Sequence, residues 1–316
     1  MPTVSIMFHF VAFCIHLISS ILAFNSVTDF SSQIFYETYH WNANVTTNVT
    51  RTTTRNYIGS INPVLLVAVN ELLTCVAHFV AIVVLNINSL SYTQQEHAMS
   101  ARRWFSYSVT AGLLGCAVLL LTGETHVFFL VFMIATNVVI QGQGYLIDNN
   151  LDNGLDQVKI WPYVFAAILL LVQILYVSTV VFSTSGLTTL LFIPLNALAV
   201  IYGLFYTSFA LVRLLQAFDE QRSDDAINQK LLVNYDDIYV LLSVTSKILL
   251  SWLLIAIHHS ALDTLQISHT PNLSYISWTG VQIFVIVFAT VSIPFGVYVS
   301  HSFPKQIDKR RTYDVV

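Results

Sequence analysis

The chain has 316 residues, of which 55% are hydrophobic and only 9% charged, with a formal net charge of −4. Soluble globular proteins carry about 25% charged residues, so this chain has too few charges to cover a water-facing surface, and a soluble domain or a disordered chain is a poor reading. The slightly acidic balance offers no basic patch, so nucleic acid is not an expected partner, and membrane lipid is.

A membrane helix needs about 20 mainly apolar residues. Eight stretches meet that requirement, at about 5–25, 62–88, 98–122, 125–148, 159–183, 187–216, 236–260 and 275–301. The expected fold class is therefore all-α integral membrane, with a seven-helix bundle over 1–260 and an extra transmembrane helix with a basic tail over 261–316. No Lys or Arg precedes Arg51, so the first stretch lacks the basic start of a secretory signal and reads as a span. The segment 26–61 is rich in Thr and Asn, and the alternation Gln33-Ile34-Phe35-Tyr36 predicts a short strand pair within it. Gly123 breaks the tight third connection, and Ser-Thr-Ser-Gly at 183–186 marks another turn. The charged segment 218–235 is expected on the surface. Cys14, Cys75 and Cys116 sit inside apolar runs; they give no disulfide framework or zinc spacing and read as small packing residues.

Basic residues set the orientation. With the N-terminus in the cytosol, the inside segments hold Arg102, Arg103, Lys159, Arg213, Arg222, Lys230, Lys305, Lys309, Arg310 and Arg311, and the outside segments only Arg51 and Arg55. Both termini are then cytosolic. The sequons at Asn44, Asn48 and Asn272 fall outside in the same arrangement. Tyr275, Trp278 and the cluster from Lys305 to Arg311 read as interfacial anchors of the last span.

An ionisable group within the bilayer is costly and marks a functional position. Lys247 lies in the middle of the seventh span, too deep to reach the interface easily. Such a lysine can pair with a carboxylate, sense a cation, or form an imine with an aldehyde, because burial favours the neutral, nucleophilic amine. Glu71, in the second span, is the other carboxylate far from a helix end. His16 and His78 lie mid-span, where a hydrogen bond between helices is the plainer reading. No paired carboxylates, Ser-His-Asp set, phosphate loop or metal cluster points to an enzyme.

The segment Ser243-Val-Thr-Ser-Lys247-Ile-Leu-Leu-Ser-Trp252 resembles the retinal-bearing helix of heliorhodopsins, an inverted branch of the microbial-type rhodopsins. Other segments agree in order. Arg103-Trp104-Phe105-Ser106-Tyr107-Ser108 resembles the family's Arg-Trp-x-Glu-Tyr-Ser signature, and Asn137 with Asp148 resembles its Asn…Glu spacing. Trp161-Pro162-Tyr163, Ser208-Phe209-Ala210 with Leu215-Gln216, and His16-Leu-Ile are similar to segments of its fifth, sixth and first helices. The resemblance implies all-trans retinal held as a Schiff base on Lys247, with Ser243, Ser106, Tyr107 and Asn137 holding the linkage or its waters and Trp252 and Trp161 lining the polyene. It implies light sensing, proton transfer towards Glu71 or a cavity containing His16, a homodimer and an unidentified signalling partner. A light-gated proton or ion conductor is the alternative.

Two departures from the family pattern stand out. Its Schiff-base counterion is the glutamate of the Arg-Trp-x-Glu signature, and here that position is Ser106. Glu71 aligns where the family has a histidine. The carboxylate is therefore expected to have moved from the third helix to the second, with a chloride bound near Ser106 and Arg103 as another solution. The extra span at 275–301 is the further departure.

Overall fold

A computed structural model describes residues 2–28, 31–43, 49–87, 92–150, 160–184, 189–222 and 225–264. Its helices are α1 (Pro2–Asn25), α2 (Pro63–Asn86), α3 (Tyr92–Leu121), α4 (Val127–Asn150), α5 (Ile160–Thr184), α6 (Thr189–Arg222) and α7 (Asp225–Thr264), with strands β1 (Ser32–Ala43) and β2 (Val49–Ile61) between α1 and α2. Among the described residues seven helices are long and apolar enough to cross a membrane, and the chain is an integral multi-pass membrane protein. The helices pack in sequence order, α7 closes the ring against α1, and both α2 and α3 also touch α7. The expected eighth span lies outside the described residues.

The helix ends follow from local chemistry. Asn62 caps α2: its Oδ1 accepts from the backbone N–H groups of Val64 (2.8 Å) and Leu65 (3.2 Å), and Pro63 follows where a missing N–H costs nothing. Gly123 ends α3 with φ 89°, a left-handed conformation in which the N–H groups of Gly123 and Glu124 return to Leu120 and Leu119. The strand pair is longer than the alternation at Gln33 suggests. It runs antiparallel from Ser32↔Ile61 to Ala43↔Val49 with one irregularity at Ile34/Phe35. Buried Ile34 and Ile61 anchor it to the core, and Phe35 N–H donates to Thr125 O (3.2 Å) in the α3–α4 turn.

The charged segment 218–235 is helical at both ends, closing α6 and opening α7. At 1.5 Å per residue the 40 residues of α7 reach about 60 Å, about twice the hydrocarbon thickness. The candidate span on α7 is Tyr235–Ser260, so the first turns of the helix lie outside it.

Candidate functional site

The site is assembled on one stripe of α7. Asp236, Ser243, Lys247 and Ser251 recur at spacings of four and seven, so they share a helix face. That face meets α1, α2 and α3. Lys247 is buried, and its Nζ donates to Thr110 Oγ1 (2.8 Å) and Thr74 Oγ1 (3.0 Å). Each threonine spends its own proton on a backbone carbonyl, Thr110 on Ser106 O (2.8 Å) and Thr74 on Asn70 O (2.9 Å). Their lone pairs therefore face the amine, an arrangement that suits a donor and would repel another acceptor. The Tyr107 ring covers the amine with its centroid 5.0 Å from Nζ. Among the described residues no carboxylate forms an ion pair with Lys247.

Glu71 stands next to this amine, one turn of α2 before Thr74, and is fully buried. Its Oε2 lies 2.6 Å from His16 Nδ1 on α1, and its Oε1 accepts from Ser251 Oγ (2.5 Å) and Asn70 Nδ2 (3.3 Å). Both oxygens are thus fixed, and Ser251 ties the carboxyl to α7 one turn beyond Lys247. At the third-helix position Ser106 is buried and contributes its carbonyl, not a charge.

The heliorhodopsin family profile matches residues 6–258. The chain belongs to the heliorhodopsin family. Membership makes it a retinal-binding, light-sensing rhodopsin, and the matched range takes in all seven described spans. A comparison with curated proteins finds no match.

The groups around Lys247 suit retinal as this heliorhodopsin's chromophore. Ser243, one turn before the lysine, is completely buried, and its Oγ, which faces the Tyr107 hydroxyl, has no partner at full hydrogen-bond geometry among the described residues. A buried orphan hydroxyl beside an amine is a place prepared for a further polar atom. Asn137 acts at one remove: its Nδ2 donates to Ser108 O (2.7 Å) and Tyr107 O (3.2 Å), pinning α4 against the turn of α3 that carries Tyr107. Tyr107 itself donates to Tyr239 O (3.3 Å). Trp252 packs, partly buried, against the core cluster. Trp161 opens α5 with 69% of its surface exposed, a position that suits an interfacial anchor better than a polyene wall.

A second polar layer lies towards the starts of α1, α3 and α7. Asp148 accepts from Arg103 (3.0 Å), Ser100 (2.5 Å) and the Trp104 indole, and pairs with Arg213 Nε at 2.7 Å. Asp236 faces His9 Nε2 (2.9 Å), Arg103 Nη1 (3.4 Å) and Arg102 Nη2 (3.9 Å). The Arg103 guanidinium also lies over the Tyr239 ring at 4.3 Å. Gly144 lets this layer close, since a Cβ there would meet the Trp104 ring at 2.5 Å.

Sequence reasoning missed Thr74, Thr110, Ser251, His9 and Asp236. The signal was present as helical spacing. Asn70, Thr74 and His78 recur every four residues on α2, and Asp236 to Ser251 form the stripe on α7.

Proposed function

We propose that Lys247 carries retinal and that Glu71 is the negative charge that balances it, in a light sensor whose resting chromophore is all-trans. Held as an imine on Lys247, retinal supplies visible absorption and a double bond that light isomerises. The observation that carries the reading is the fixed, fully buried Glu71 carboxyl, which acts electrostatically on an amine that has no carboxylate within ion-pair distance among the described residues. Thr74 and Thr110 orient the lysine nitrogen by accepting from it. Ser251, Asn70 and His16 hold the carboxyl in place so that it cannot swing to pair elsewhere. Ser243 offers a hydroxyl to the linkage, and Tyr107 shields it.

The excess of basic residues at the starts of α3 and α7 and after 300 supports cytosolic termini, with the hairpin outside. A homodimer and a cytosolic signalling partner complete the reading.

The test is an absorption spectrum of the purified full-length protein with all-trans retinal, titrated through the carboxyl and imidazole ranges, about pH 4 to 8, beside Glu71→Gln. A visible band that shifts or bleaches at neutral pH in the variant is expected. An unchanged band in the variant assigns the balancing charge to a bound anion. No band in folded wild-type protein removes the retinal reading.

A further inference from the structure

Glu71 is the first member of a line of buried titratable groups that leaves the lysine and reaches the end of the bundle where α1 and α7 begin. His16 Nδ1 touches Glu71 Oε2 at 2.6 Å. The His16 ring stacks on His78, with centroids 5.5 Å apart and planes 10° apart. His78 Nδ1 lies 2.9 Å from His9 Nδ1, and His9 Nε2 lies 2.9 Å from Asp236 Oδ2. His9, His16 and His78 are all buried, whereas the Asp236 side chain is 13% exposed. Three histidines in register on two adjoining helices exceed what bundle packing needs, since a single intramembrane imidazole already satisfies a helix contact.

We propose that His16, His78, His9 and Asp236 form a proton relay between Glu71 and the α1/α7 end of the bundle, gated at the His16–His78 step. The inference rests on the reading of Lys247 as the retinal carrier, because light is what delivers a proton to Glu71. Imidazole relays a proton by accepting at one nitrogen and releasing from the other. Glu71 Oε2 gives its proton to His16 Nδ1, and His16 gives up the proton on Nε2. His78 accepts that proton and releases the one on Nδ1 to His9 Nδ1. His9 then releases its Nε2 proton to Asp236 Oδ2, from which it leaves. One N–H or O–H bond breaks and one forms at each step, and no oxidant or reductant is required.

The gate is visible in the geometry. His16 Nε2 is buried with no hydrogen-bond partner, and two nearly parallel stacked rings do not point their in-plane nitrogens at each other. Every other link is within hydrogen-bond distance. A ring rotation or an admitted water at His16 closes the line, and its absence at rest blocks a leak. The other charged and polar groups facing the line are Lys247, Asp237 and Ser5, with Arg102 and Arg103 on α3. Arg102 donates to Ala77 O (3.3 Å) beside His78, and with Arg103 it faces Asp236. The two arginines fix the exit carboxyl, and Arg102 also acts electrostatically on His78.

The experiment is a laser flash on the full-length, retinal-loaded protein in the presence of a pH-indicator dye, with the visible band followed in parallel. In wild type a proton appears in the bulk after the flash. His78→Phe and His9→Phe are expected to reduce or delay that dye signal at least tenfold while leaving the resting visible band in place. His9→Gln, which keeps a polar group without two titrating nitrogens, is expected to do the same and guards against a folding defect. A dye signal unchanged in all three variants, or absent in a wild type that completes its photocycle, overturns the relay. If the folded wild type forms no retinal band, the retinal reading falls, and the line is judged in the dark by 15N magnetic resonance of its histidines. There Asp236→Asn is expected to move the His9 and His78 signals together, and a response at neither or at His9 alone overturns the coupling.

Discussion

The two sides of the bundle solve the membrane problem in opposite ways. On the α1–α2–α3–α7 side, buried polar groups sit in contact with one another, and 78% of the spanning stretch of α3 is buried. On the α5–α6 side only 17% of the spanning stretch of α5 is buried, and its exposed positions are mostly Val, Ile, Leu and Phe, with Trp161, Ala167 and a Thr179 whose hydroxyl bonds its own helix. The exception on α5 is Gln173, fully buried, whose Nε2 donates to Thr136 Oγ1 (2.5 Å) and Met133 O (3.1 Å). The difference teaches where sequence is constrained. A polar group in hydrocarbon must be matched by a specific partner, so each residue of the first side dictates another. A lipid-facing residue needs only to be apolar.

Substitutions can break or sharpen that contrast. The largest effect is expected from Lys247→Ala, which removes the retinal band altogether in a reconstitution spectrum. Next comes Asp148→Asn, which leaves the buried Arg103 and Arg213 facing a neutral partner. Breaking a buried pair costs about 3–5 kcal/mol, measured as a lower bleaching temperature. Gly144→Ala should cost about 1–3 kcal/mol by overpacking, because the indole of Trp104 cannot yield as a flexible chain would; the same melt reads it. Asn62→Ala removes the α2 cap at about 1 kcal/mol. The smallest effect belongs to the lipid-facing side: Trp161→Phe should leave band position and melting temperature unchanged. A band shift there would place Trp161 against the polyene and undo the contrast.

Much of this was legible in the sequence on physical grounds. Lys247 and Glu71 stand out because a charge in an apolar run is expensive wherever the helix points. Gly123 announces its turn through backbone chemistry. The seven described spans follow from length and apolarity, and family membership confirms the resemblance first seen at Ser243, Lys247 and Trp252. Trp161 shows the limit: an aromatic near a helix start fits a binding wall and an interfacial anchor equally until its exposure is known. Thr74 and Thr110 show another, since a hydroxyl that bonds its own helix looks like any other threonine until a partner helix brings an amine to it. His9 and Asp236 were hidden for a third reason. They lie near the ends of their spans, where ionisable residues are ordinary, and only the packing of α1 on α7 makes them neighbours.

Asn62 has a wider consequence than capping one helix. Its Oδ1 closes the start of α2 while its Nδ2 donates to Thr28 O at 2.7 Å, just past the end of α1. One amide therefore pinches together the two points where the chain leaves the bundle and comes back. The intervening hairpin is a cassette with a closed base, and its length is nearly decoupled from the helices it interrupts. Lengthening such a loop costs only about 0.6 kcal/mol per doubling. A tag or binding peptide grafted at the strand tips would thus ride on this receptor without disturbing the spacing of α1 and α2 around Lys247.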